Sequence, residues 1–175
     1  MTANAVPAPA MVPGFAVRAL AAIDTAARGL VIAVTGAMVV VVVAQVALRY
    51  GFGRSFDWAD EISRLLFVWT IFLALPLGIP KGAHVGVGLL TERLPPHIRK
   101  PLFRLMCVLC AVLLAVVAWE ALLLTLEQWE EPLSTLDASV ALFMVPVVIG
   151  SVHGTLHFLM LAGTGAYAEP EMIVE

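Results

Sequence analysis

Charge is what this sequence has least of. Only 13% of its 175 residues are Asp, Glu, Lys or Arg and 61% are hydrophobic, whereas soluble domains carry roughly 25% charged residues. So few charges cannot cover a water-soluble surface, and the imbalance points to the lipid bilayer as solvent. No basic patch interleaved with aromatics occurs, which argues against nucleic acid as a partner. Cysteine is scarce too: Cys107 and Cys110 form a lone CVLC inside an apolar run. A CxxC can be a redox pair or half of a zinc site, but zinc needs two further ligands at suitable spacing. With Leu, Met and Val as neighbours, the two read as small buried residues. No GxSxG elbow or HExxH helix is present, and Ser134, Asp137 and His153 stand outside any motif context, so no enzyme is expected. The opening MTANAVPAPAMVPG lacks the basic region that precedes the apolar run of a cleaved signal peptide. Residues 1–17 are therefore expected to be a disordered Ala/Pro-rich tail, and the first apolar run an uncleaved anchor.

What is present is a set of four long apolar runs. Gly29–Leu48 is 20 residues without a charge, enough to cross roughly 30 Å of hydrocarbon as a helix. Its valines suit a strand in water, but an isolated strand in lipid would leave backbone groups unpaired, so a helix is expected. Further spans are expected at about 62–79, 102–129 and 139–162, with Pro76 and Pro80 near the end of the second and Pro146 and Gly150 inside the fourth. Neighbouring helices can satisfy the carbonyls that such breakers free. The fold class is thus an all-α integral membrane protein: four spans in a membrane domain at 18–165, then an acidic tail at 166–175.

Lys and Arg set the direction. Arg18 and Arg28 precede the first span, and Lys81, Arg93, Arg99, Lys100 and Arg104 populate the middle loop. The loop between spans three and four has none, only Glu127, Glu130, Glu131 and Asp137. The positive-inside rule then places both termini and the middle loop in the cytoplasm, and gathers Tyr50, Trp58, Trp119 and Trp129 at the outer interface. The middle loop, HVGVGLLTERLPPHIRKPLFRL, mixes apolar and basic residues around Pro95–Pro96. It can lie on the anionic lipid surface as short amphipathic segments, or be a plain solvated loop.

Between the first two spans lies SFDWADEISRLLFVW. Asp57 is an expected N-cap, and Asp60 and Glu61 fall in the first turn, where acids favour the positive end of the helix dipole. Asp60 and Glu61 precede Arg64 by four and three residues, both spacings that permit an ion pair. Arg64 is a turn into the span, where a charge needs a partner, water or a protein neighbour.

Arg49–Tyr50, then Trp58, Glu61 and Arg64, then Gly82, His84 and Val87 reproduce an RY pair, a W-x-x-E-x-x-R run and a Gly-x-His-x-x-Val motif in that order. Over about residues 49–90 the chain resembles the DctQ-type small membrane subunit of tripartite ATP-independent periplasmic (TRAP) transporters. Ala74, Pro80 and Gly88 depart from that pattern, which bears on contacts around the middle loop. The resemblance implies a scaffold subunit in the bacterial inner membrane. Its partners would be a large many-span subunit carrying the substrate and sodium sites, and a periplasmic substrate-binding protein. Together they would import an organic acid on an ion gradient. Membrane lipid is the remaining partner, and no cofactor is implied. Arg49, Trp58, Glu61, Arg64, His84 and Glu120 are the candidate interface residues; Trp58 would anchor the outer end of span two, which Glu61 and Arg64 would order.

Two other readings compete. A haem-binding anchor of a redox complex would use His153 and His157, but neighbours on one helix cannot ligate opposite faces of one iron. A self-sufficient small transporter would need a central charge; Glu120 is the candidate, and helix rise puts it near the outer boundary.

Overall fold

The computed structural model describes residues 14–54, 56–81 and 96–164. Candidate His84 and the greater part of the middle loop, with its expected amphipathic segments, lie outside the described residues. Four helices account for most of the rest: α1 Gly14–Phe52, α2 Asp57–Gly78, α3 Pro96–Glu127 and α4 Val145–Thr164. Short 3₁₀ turns follow α2 at Ile79–Lys81 and precede α4 at Val140–Phe143. All four helical segments are long and apolar enough to cross a membrane. The valine run is helical, because only a helix satisfies its own backbone in lipid.

The 39 residues of α1 extend to about 58 Å at 1.5 Å per residue, nearly twice the hydrocarbon thickness. The helix starts at Gly14, inside the stretch expected to be a tail. Its less exposed positions include 20, 24, 27, 31, 34, 38, 41, 45 and 48, with 16, 19 and 35 beside them. That alternation of four and three is the seam of a left-handed helix pair. Its main partner is α2, antiparallel to α1 across a short turn, while Asp24 near its amino-terminal end meets α4. Gly53 makes the turn with φ 62°, a left-handed conformation that a side chain would disfavour. Thr35 and Thr70 meet across the seam with their hydroxyl oxygens 3.3 Å apart.

From α1 the packing runs to α2, from α2 to α4, and from α4 to α3. Lipid removes the hydrophobic drive for helices to associate, so close packing between small residues has to hold them. On α3 the buried positions Cys107, Ala111, Ala118, Ala121 and Thr125 fall on one such stripe. Cys107 packs with Ala111, Ile79 and Phe158 in the core, with Cys110 at its margin; both thiols are free. On α4 the closest approaches are at Gly150 and Gly154. A Cβ at Gly150 would overlap the Phe72 carbonyl of α2, and one at Gly154 would come within 2.8 Å of Leu114 of α3. Gly150 is therefore a contact point and not a helix breaker. Pro146 is also no interior breaker, because α4 begins at Val145 and an N–H in the first turn would have no intrahelical acceptor to lose.

Candidate functional site

Two polar groupings stand out, one at each end of the bundle. At the end carrying the α1–α2 turn, Glu61 reaches across to the loop between α3 and α4. Its Oε1 accepts the Ser134 N–H at 2.9 Å and its Oε2 accepts the Thr135 N–H at 3.0 Å and the Thr135 hydroxyl. The loop is itself folded: Leu133 N–H donates to the Ala138 carbonyl at 2.7 Å and Val140 N–H to the Glu131 carbonyl at 2.9 Å. Ser139 donates to the Gln128 carbonyl at 3.1 Å while its Oγ accepts the Ala141 N–H, capping the 3₁₀ turn that leads into α4. Deeper in, Trp69 donates its indole N–H to the Leu142 carbonyl at 3.0 Å.

The ion pairs that the local spacing permits do not form among the described residues. Asp60 accepts from Gln45 of α1 at 3.1 Å, Glu61 is engaged by the loop, and no ion pair to Arg64 forms among the described residues. Arg64 is exposed on the helix surface. Asp57 is not the N-cap: Phe56 occupies that position in extended conformation, with no side-chain cap, and Asp57 is the first helical residue. Acids in the first turn still suit the helix dipole without a capping bond. Trp58 stacks on Phe56 with ring centroids 5.3 Å apart and stays half-exposed. Arg49 lies exposed in the last turn of α1, where a cation is favoured. Glu120 is exposed on α3, beside the exposed Trp119.

At the opposite end, α1 and α4 share a cluster that the sequence reading did not assemble. His153 and His157, one turn apart on α4, both turn Nε2 to the Oδ1 of Asp24 on α1, at 2.7 and 2.8 Å. Each histidine is 5% exposed, and the Asp24 side chain is 23% exposed. With Asp24 ionised, a carboxylate only accepts, so each ring donates its Nε2–H. The rings lie 4.9 Å apart, tilted by 42°. Both aim at one carboxylate from the same side, which cannot place them on opposite faces of a haem iron. His157, like His153, is buried within the protein. An open cleft of about 220 Å³, lined by Val17, Leu20, Asp24, Pro80, His157 and Met160 among others, leads to the cluster. Asp24 stood in the sequence as a charge ahead of the first span. In the folded helix it lies between Leu20 and Ala27, the buried positions of α1, on the face turned to protein.

The four apolar helices and their packing define a polytopic α-helical membrane protein. A family model described as "Tripartite ATP-independent periplasmic transporters, DctQ component" matches residues 38–164, more than half of the chain. The chain belongs to this DctQ family: it is the small permease type of TRAP subunit, a multi-pass protein of the bacterial inner membrane, and not an enzyme. It is 34% identical to a TRAP transporter small permease protein of Haemophilus influenzae over 124 residues, 69% of this chain and 76% of the relative. It is 32% identical to the C4-dicarboxylate TRAP transporter small permease protein DctQ of Vibrio cholerae, over 48% of this chain and 38% of that one. A third relative, the isethionate TRAP transporter permease protein DctMQ of Oleidesulfovibrio alaskensis, is 29% identical over 37% of this chain but only 10% of its own length. TRAP small permeases work with a large membrane subunit and a binding protein.

Proposed function

We propose that this chain is the fixed membrane scaffold for a separate large many-span subunit, to which a periplasmic binding protein delivers an organic acid for import on an ion gradient. The observation that carries the proposal is the family match across residues 38–164. The Oleidesulfovibrio relative supports the partnership: its name joins both subunits, and this chain aligns with 10% of it. C4-dicarboxylate and isethionate in the names of relatives support an organic acid as cargo. Both termini face the cytoplasm in this reading, so the Glu61-held loop faces the periplasm. Arg49, Trp58, Arg64 and Glu120 are then exposed and available to the large subunit or to headgroups, while Glu61 shapes the surface they flank. His84 belongs to the same proposal at the cytoplasmic end. Removing the chain from its host should abolish gradient-dependent uptake of one organic acid, and restoring the full chain should recover it. Undiminished uptake of every organic acid tried, dicarboxylates and sulfonates included, would contradict the proposal.

A further inference from the structure

Asp24, His153 and His157 bring one carboxylate oxygen and two imidazole nitrogens to a single point between α1 and α4, all within 4.8 Å of one another. We propose that these three side chains bind a divalent transition-metal ion of borderline softness, zinc by preference, which clamps the amino-terminal part of α1 to α4.

The donor set selects the ion. Two imidazoles and one carboxylate suit zinc and its first-row neighbours, whereas calcium and magnesium prefer oxygen donors throughout. Cys107 and Cys110 belong to the separate core contact between α3 and α4, so no thiolate draws a softer ion here. The spacing is favourable, because residues four apart on a helix point the same way and His153 and His157 already converge. Zinc bonds of about 2.0–2.1 Å in a tetrahedron set neighbouring donors roughly 3.3 Å apart. The Nε2–Oδ1 separations of 2.7 and 2.8 Å are shorter, so Asp24 must draw back by a few tenths of an ångström. Its partly exposed side chain borders the open cleft and has room to do so. The same cleft gives the ion an entry path and a fourth, water-filled position.

Charge points the same way. With neutral imidazoles the cluster carries one negative charge, and no Lys or Arg pairs with Asp24 among the described residues. A carboxylate between membrane helices is costly unless compensated, and a bound dication compensates it. Each imidazole would then move its proton from Nε2 to Nδ1, leaving Nε2 as the donor atom. The site is independent of the transport reading, since it uses only this chain's own side chains.

The test uses the full-length, untagged protein in detergent, stripped of metal with a chelator and dialysed. Zinc titrated into the 15N-histidine-labelled chain should saturate at one ion per chain. It should shift the ring resonances of two of the four histidines. Cobalt should give the visible bands of a tetrahedral site, and zinc should displace them. His157→Gln and Asp24→Asn should each weaken cobalt binding by more than the roughly tenfold to hundredfold that loss of an outer-shell partner costs. Should either variant fail to fold, the wild-type histidine spectrum decides alone. Absence of saturable binding, shifts confined to the other two histidines, or unchanged binding by His157→Gln would overturn the proposal. Each would leave the cluster a hydrogen-bonded tie only.

Discussion

A carboxylate near a membrane surface can be held by water, by a cation or by backbone N–H groups, and Glu61 uses the last of these. Two successive N–H groups of the 134–135 turn, together with the Thr135 hydroxyl, occupy both of its oxygens. Charge-assisted bonds of this kind are stronger than neutral ones, and three of them hold Glu61 on the loop. Glu61→Ala should therefore speed amide hydrogen exchange at Ser134 and Thr135, and Glu61→Gln, with one acceptor oxygen left, should fall between. If exchange at both amides is the same in the alanine variant, the turn is held by its own Leu133–Ala138 and Val140–Glu131 bonds. Trp69 adds a second tie from α2, to the Leu142 carbonyl, of the kind worth about 0.5–1.5 kcal/mol. All four of these contacts join residues more than 70 positions apart in sequence, so no local pattern of charges could reveal them.

Among the elements, α4 has the tightest constraints. Gly150 and Gly154 are four residues apart and let α2 approach at the first and α3 at the second, the small-residue spacing that membrane helices use for close packing. Gly150→Ala should lower the thermal unfolding temperature in detergent, with a cost of about 1–3 kcal/mol from overpacking. Gly36→Ala on α1, where an added Cβ meets nothing within 4 Å, should be neutral or slightly stabilising because alanine is the better helix former. Equal effects at the two positions would show that the α2–α4 approach is looser than described. The helices themselves were legible from the apolar runs, since lipid leaves the backbone little choice. The roles of Pro146 and Gly150 were less so: both looked like interruptions, but the proline lies in the first turn of the helix and the glycine makes a contact. Asp24 escaped for a related reason. In sequence it is one charge ahead of the first span, and only the folded α1 turns it toward histidines 129 and 133 positions away.

For the whole molecule, the flanking position of α1 is the main consequence. Only Leu20 and Ala27 are buried along its 39 residues, while Ile32, Val40 and Val43 are more than 60% exposed. The outward side of α3 is similarly apolar, with Leu113 and Leu126 well exposed. A four-helix protein with two open apolar flanks fits a scaffold that is completed by lipid on one side and a partner on the other. The central claim is that the partner is the large many-span subunit of a TRAP transporter. Its most direct test is mild-detergent purification of this chain from native membranes, with mass identification of whatever remains bound. The account predicts a large many-span protein at close to one copy per chain. Recovery of the chain alone, or with redox subunits and haem, would contradict it.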